Sequence, residues 1–295
     1  MMRTAPRVTI GMPVYNGEPF LEEVLRALAC QTFADYELIV SDNASTDATP
    51  EIVDSWARRD PRMRVVRQAE NVGAARNYNK LVDEARGEYF KWAAADDVCL
   101  AAHVEQCVRV LDARPDVVLA YPKTRIIDAG GRPITDYEDN MHLDHASPVW
   151  RFGRVVRRLR EANAIFGVMR TEALRRTRLI GPFASSDLVL LGELALLGRF
   201  FEVPERLFLR RDHARGSMRA YADMEQRDAW FDPARQGKPG FPAWRIPREY
   251  ARAVRRSGLG RLQRTGCYLQ LVWWVRHKWK EMAGDVGRNL RRLSR

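Results

Sequence analysis

The chain has 295 residues, of which 46% are hydrophobic, 29% charged and 9% aromatic; these globular proportions exclude wholesale disorder, collagen-like repeats and a disulfide-stapled miniprotein. That length allows one large α/β domain with an appendage, or two ordinary domains. The net charge of +11 sits at one end: residues 244–295 hold 14 Lys and Arg against 3 Asp and Glu, whereas basic and acidic residues before Trp244 are equal in number, 35 of each. Cys30, Cys99, Cys107 and Cys267 include no C-x-x-C pair and no His at zinc-ligand spacing, which excludes a zinc module or disulfide framework and fits a reducing cytosol.

In chain order, Val8 to Pro13 reads as a buried strand, and Phe20 to Cys30 has apolar residues at helical spacing. The alternation continues with strand Tyr36 to Ser41, helix Pro50 to Arg58, strand Arg64 to Val66 and helix Ala74 to Ala85. Strand Glu88 to Ala93, helix His103 to Leu111 and strand Val117 to Tyr121 follow. Alternating β and α segments predict a mostly parallel, Rossmann-like sheet with flanking helices. After a short strand at Arg125 to Ile127, Asp128 to Arg132 is a turn, and the stretch to about Pro148 reads as a mobile loop. Ser185 and Ser186 are expected to cap a helix from Asp187 to Leu197; short strands at Phe200 to Val203 and Leu207 to Leu209 follow, then loop from Arg215 to Pro242. No apolar run reaches the ~20 residues that cross a bilayer, and no signal peptide is apparent.

Ligands of such sheets bind beyond the carboxyl ends of the strands, and the polar residues concentrate there. Asp96 and Asp97, adjacent after an apolar strand, repel each other unless a cation or ligand hydroxyl group intervenes. That asks for a divalent ion with oxygen ligands, Mg²⁺ or Mn²⁺; the alternative is that one Asp caps the next helix and the other is solvated. The loop Asp42 to Asp47 is rich in short acceptors suited to a base N–H and ribose hydroxyl groups, or is a plain turn. Gly73 opens a helix whose N-terminus can face an anion, with Arg76 on its first turn in reach of a nucleotide.

Four ordered motifs, Val8 to Gly17, Ser41 to Asp47, Glu70 to Asn77 and Asp96-Asp97, together resemble the family 2 glycosyltransferases of the GT-A fold. The resemblance covers residues 7–125 closely and 160–213 loosely. It implies an enzyme whose nucleotide-sugar donor lies across these loops, with Pro13, Val14 and Tyr15 flanking the nucleoside and Asp42 contacting the base. It further implies that Asp96 touches the ribose or a metal, that Asp97 coordinates the metal bridging the diphosphate, and that His213 approaches as a further metal ligand, closing over the donor. Ala94 stands where many relatives carry another Asp, which thins the carboxylate cage. Inverting transfer needs a base for the acceptor hydroxyl group, and Asp187 stands at the matching helix start; read from local sequence alone, it is better taken as an N-terminal helix acid favoured by the macrodipole. Glu193 falls on a different face and is the weaker candidate. Trp150 and Tyr137 are acceptor-stacking aromatics or loop pins.

The expected division is a GT-A domain over 1–214, with donor half 1–127 and acceptor half 128–214, a loop-rich linker over 215–243 and a basic amphipathic helical tail over 244–295. Residues 261–295, which interleave Arg and Lys with Trp, Leu, Val and Tyr, fit a helix on an anionic membrane surface. In the other reading Trp273 and Trp274 pack on the catalytic domain or in a homodimer contact while the arginines stay solvated. The expected function is metal-assisted, inverting transfer from a UDP- or dTDP-linked donor to an acceptor hydroxyl group, with a glycolipid or cell-envelope glycan among the acceptors. The expected location is cytoplasmic, peripheral at the membrane's inner face. A nucleic-acid-binding protein using the basic tail is the alternative; against it, no RRM, KH or helix-turn-helix signature is visible.

Overall fold

The structure is a computed structural model that describes residues 5–214, 216, 224–236, 238 and 241–293. Its centre is β1 (Val8–Val14), buried at every position because both faces of the sheet are covered by helices. Parallel neighbours β2 (Tyr36–Asp42) and β4 (Tyr89–Trp92) flank it, and β3 (Met63–Arg67) closes that side. The helices α1 (Glu18–Ala29), α2 (Thr49–Arg59) and α3 (Ala74–Asp83) are the crossovers, and α1 turns Leu21, Val24, Leu25 and Leu28 into the core. Gly11 lets α3 lie close on β1: a Cβ there would stand 2.9 Å from both Leu81 Cβ and Phe90 Cζ.

Beyond β4, the short β5 (Val98–Cys99), α4 (His103–Ala113) and β6 (Val117–Ile127) follow. Three more strands, β7 (Pro133–Tyr137), β8 (Val168–Arg170) and β9 (Arg199–Arg211), complete a sheet of order β3-β2-β1-β4-β8-β6-β9-β5, with β7 paired to β6. Here β8 is antiparallel to β4 and β6, while β9 runs parallel to β6. The sheet is therefore mostly parallel, as the alternation predicts. Because β6 pairs with both β8 and β9, the expected donor and acceptor halves share one sheet.

Several local expectations are corrected. The strands expected at Val117 to Tyr121 and Arg125 to Ile127 are one strand, β6, and those expected near 200 and 207 are one strand, β9; Pro122 and Pro204 fall where the register between the two strands shifts, from Pro122 opposite Val203 to Lys123 opposite Arg206, and neither strand ends there. The expected mobile loop contains β7 (Pro133–Tyr137), an exposed strand held by the β6 ladder and by Arg125 Nε to Asp136 Oδ1 at 2.7 Å. After it, α5 (Pro148–Arg158) is capped by Ser147, whose Oγ accepts from the Trp150 amide. A 3₁₀ turn, Asn163–Phe166, and α6 (Thr171–Arg175) follow. Neither serine caps α7 (Ser186–Leu197) with its side chain: Ser185 is left-handed at φ 65°, and Ser186 Oγ is buried without a partner.

The expected linker lies partly outside the described residues; within them it contains α8 (Met224–Phe231) and a 3₁₀ turn at Pro233–Arg235. The basic tail is two helices, α9 (Pro242–Arg256) and α10 (Arg261–Leu293). They form a third core with α5 and α7 in which Phe152, Val189, Tyr250, Val254, Cys267 and Leu271 are buried. Tyr250 OH donates to the Leu188 carbonyl at 3.0 Å, and Trp244 Nε1 to the Met282 carbonyl at 2.9 Å. Trp274 packs against this core, and Trp273 stacks on His277 with Arg157 over its ring. All four cysteines are free thiols. Among the described residues no helix is long and apolar enough to cross a membrane.

Candidate active site

A cleft of about 450 Å³ opens at the carboxyl ends of β1 and β4, where a parallel sheet leaves backbone groups and loop side chains facing outward. One wall is built by three interlocked loops. Asn16 Oδ1 accepts from the Thr46 amide at 2.8 Å, and the Gly17 amide donates to Thr49 Oγ1 at 2.9 Å. Asn43 Nδ2 donates to Asn71 Oδ1 at 2.9 Å, while Asn43 Oδ1 accepts from the Val72 amide. Pro13, Val14 and Tyr15 line this wall, with Tyr15 exposed.

Asp96 and Asp97 form the floor. His213 Nε2 lies 3.0 Å from Asp96 Oδ2, and its ring packs edge-on against Phe20. Asp97 is buried with Oδ1 accepting from the Arg211 amide at 2.8 Å. Burial, and then the charge of Asp96, push the Asp97 carboxyl well above the usual carboxylate range, against the pull of that amide. Arg211 holds the floor together. Its guanidinium donates to the carbonyls of Asp96 and Ala129 and to Glu23 Oε2 at 2.7 Å, and it stacks over Phe20.

Among the described residues no three His, Cys, Asp or Glu side chains converge as a closed metal cage. The Asp96 and His213 pair nevertheless gives an oxygen and a nitrogen donor at one point beside the buried Asp97 carboxyl, which the Arg211 amide compensates only in part. One or two protein ligands completed by substrate phosphates is how Mg²⁺ is commonly held. This donor chemistry fits a divalent cation whose remaining ligands come from outside the protein.

The opposite wall comes from the residues expected to form the acceptor half. Asp187, on the first turn of α7, lines the cleft with Oδ1 accepting from the Leu188 amide at 2.9 Å. Burial raises its carboxyl above the ordinary range, and the charge of Glu161 adds to that while Arg210 opposes it. Arg210 Nη1 reaches Glu161 Oε2 at 2.8 Å and Asn163 Oδ1 at 3.3 Å. Behind them Asn163 and Thr124 donate to Asp139, whose carboxyl burial pushes up to about 7. Burial also raises the Tyr78 phenol, as do the charges of Asp96, Asp97 and Asp187, which line the same cleft.

The third side is α8, which brings Arg227, Trp230 and Phe231 to the cleft. It rests on the N-terminus of α3, where Gly73 has φ +84° and a Cβ would stand 2.7 Å from the Phe231 carbonyl oxygen. Asp228 ties it down: Oδ1 accepts from the Ala184 amide at 2.9 Å, and Oδ2 faces Arg235 and Arg245.

The structure thus brings Pro13, Val14, Tyr15, Asp96, Asp97, Asp187 and His213 to one cleft and leaves two expected residues off its lining. Asp42 is buried and spends Oδ1 on the Ser45 amide at 3.0 Å; Arg76 is on the exposed side of α3. Trp150 and Tyr137 lie outside the lining as well. Glu193 is structural: its carboxylate takes the Arg178 amide and the Arg256 guanidinium. Sequence reasoning missed Asn43, Glu161, Asn163 and the aromatic face of α8. Asn43 sat inside a quoted motif, whereas nothing local marks the others.

The family model described as Glycosyl transferase family 2 matches residues 9–180. The chain belongs to glycosyl transferase family 2, and its fold is GT-A. It is 39% identical over 97 residues to EpsJ of Bacillus subtilis, named as an uncharacterized glycosyltransferase, covering 33% of this chain and 28% of EpsJ. It is 28% identical over 135 residues to MJ1057 of Methanocaldococcus jannaschii, also named as an uncharacterized glycosyltransferase, covering 45% of this chain and 47% of that one. The matched region thus spans less than half the length of either relative. Among solved structures, S. aureus TarS 1–349 in complex with UDP-GlcNAc superposes with a TM-score of 0.64 at 16% identity, covering 93% of this chain and 73% of that one. The mannosyltransferase PcManGT of Pyrobaculum calidifontis, in complex with GDP-Man and Mn²⁺, gives 0.53 at 20% identity, covering 96% and 85%. At these identities the likeness concerns the fold.

Proposed function

We propose that this protein transfers one sugar from a nucleoside diphosphate, UDP or dTDP, to an acceptor hydroxyl group with inversion. The observation that carries the reading is one cleft in which the Asp96 and His213 pair faces a carboxylate, Asp187, whose affinity for a proton is raised by burial. Membership of a glycosyltransferase family favours it over the nucleic-acid reading.

In the displacement, the acceptor oxygen forms its bond to the anomeric carbon as the bond from that carbon to the diphosphate oxygen breaks, and the bonding pair leaves with the nucleoside diphosphate. Asp187 accepts the hydroxyl proton; a carboxylate with a raised pKa is the stronger base for this step. Tyr15, Pro13 and Val14 flank the nucleoside, Asn43 and Asn71 line the same wall, and Asp42 behind them is the residue for the base contact. A divalent cation, Mg²⁺ or Mn²⁺, supplies charge neutralisation to the departing diphosphate. Asp96 and His213 would hold it, with Asp97 behind them and engaged by the Arg211 amide. The acceptor enters between Asp187, Glu161 and α8. We place the reaction in the cytoplasm at the inner face of a membrane, on a glycolipid or cell-envelope glycan; the four unpaired thiols support a reducing compartment.

The test is Asp187→Asn. Transfer is expected to fall by roughly 10²–10⁴-fold while calorimetric binding of the donor with Mn²⁺ persists. Unchanged turnover would remove Asp187 as the base. In the parent protein, no binding of UDP- or dTDP-linked sugars with either metal would overturn the donor assignment.

A further inference from the structure

The helix α10 has two apolar faces, and the fold uses one. Cys267, Leu271 and Met282 are buried, with Trp274 packed beside them against α5 and α9. Away from that face, Leu262 is 90% exposed, Leu269 62%, Val272 63% and Trp279 57%. Tyr268, Val275 and Val286 are exposed too. At ~100° per residue these seven fall within an arc of roughly 140°, and from Leu262 to Val286 the stripe runs about 36 Å along the helix. Apolar side chains in such a row on the outside of a folded protein mark a surface that something covers.

Charge says what covers it. Arg261, Arg276 and Lys280 fall within the same arc and are exposed, and Lys280 Nζ lies over the Trp279 ring. The two acids of the helix are placed elsewhere: Glu281 pairs with Lys278 at 2.7 Å, and Asp285 is buried with Oδ2 accepting from the Ala243 amide. The arc therefore carries apolar and cationic side chains and no anion. Two copies pairing through this stripe would set cations against cations, which disfavours self-association. An anionic bilayer meets both demands, taking the apolar side chains below the headgroups and the ammonium and guanidinium groups at the lipid phosphates.

We propose that the outer face of α10 is a docking surface for an anionic phospholipid membrane, on which the protein lies with this helix in the plane of the interface. This deepens the membrane-proximal reading above by naming its surface. Of the residues expected at the membrane, Leu262, Tyr268, Val272 and Trp279 lie on this face, whereas Leu271 is buried, Trp274 packs against the third core and Trp273 stacks on His277 beneath Arg157. The helix packs on α5 and α9, and α9 packs on α7, which carries Asp187; docking would keep the acceptor wall near the lipid surface.

The experiment is co-sedimentation of the full chain with vesicles of phosphatidylglycerol and phosphatidylcholine, against phosphatidylcholine alone. Binding is expected to be at least tenfold stronger to the anionic vesicles. The paired variants Leu269→Ser with Val272→Ser, and Arg276→Glu with Lys280→Glu, should each lower it by tenfold or more, with unchanged thermal unfolding because all four side chains are exposed. Arg109→Glu, an exposed cation on α4, should leave binding unchanged. No preference for anionic vesicles, or an equal loss with Arg109→Glu, overturns the proposal. So does a dimer in sedimentation equilibrium that the Leu269→Ser, Val272→Ser variant dissolves, which would assign the face to a second copy. Vesicle binding is read without substrate, so it fails or holds independently of glycosyl transfer.

Discussion

At the residue scale, the reactivity of the cleft follows from burying carboxylates with unequal compensation. Burial raises the proton affinity of Asp187; the Leu188 and Asp187 amides oppose that rise and the charge of Glu161 adds to it. A base with a raised pKa loses activity on the acid side at a higher pH than an ordinary carboxylate would. The acid limb of the kcat profile is therefore expected above the usual carboxylate range. Glu161→Gln should move it to lower pH, because the variant removes a repelling charge and frees Arg210 to act on Asp187; an unmoved limb would show that another group titrates. Asp139 tests the same physics in stability. Its carboxyl is raised to about 7 by burial, so the folded protein binds a proton there that the unfolded chain has released. Its contribution is full below the ordinary carboxylate value and is lost as pH climbs to about 7. In urea titrations, wild-type stability should accordingly fall relative to Asp139→Asn over that window.

At the element scale, the cleft depends on α8 being clamped to two helix starts, at Gly73 and at Ala184. Asp228→Ala leaves the Ala184 amide without its acceptor and releases Arg235 and Arg245 from their shared carboxylate. Leaving a buried donor unsatisfied costs about 1–3 kcal/mol, and the same change should raise KM for the acceptor more than it lowers kcat, because Trp230 and Phe231 lose their fixed seat. A variant with wild-type kinetics and stability would show that α8 is held by other contacts. The helix was not legible in the sequence: its eight residues, Met224–Phe231, carry no amphipathic stripe, and it is held by a carboxylate latch from chain distant in sequence. β7 was illegible for a related reason, since its exposed side chains give no alternation and only the β6 ladder makes it a strand.

At the scale of the whole molecule, α9 and α10 are part of the folded body and supply one side of the third core. The two faces of α10 therefore predict opposite outcomes for neighbouring leucines. Leu271→Ala should cost about 2–5 kcal/mol, as for other buried leucines. Leu269→Ala should stay within about 0.5 kcal/mol of wild type. Equal effects in chemical denaturation would mean that the helix does not pack as described. Of the basic residues that composition shows as an excess, Arg261, Arg276 and Lys280 lie on the outer face of this helix, while Arg245, Arg252 and Arg256 pair with Asp228, Glu249 and Glu193.

By itself the sequence determined the α/β alternation, the place of the cleft at the carboxyl ends of β1 and β4, and most of the residues on its floor. Those features are written in local periodicity and in short polar motifs directly after buried strands. The tertiary structure alone decided which motif residues face the cleft. It turned Asp42 into its own turn and Arg76 to the exposed side of α3, because each side chain's direction depends on backbone angles and neighbours that no spacing encodes. It also decided that Glu161, Asn163 and α8 join Asp187 across the cleft. That convergence comes from the pairing of β9 with β6 and from the Asp228 latch, contacts between segments far apart in sequence whose strength lies in burial and hydrogen bonding.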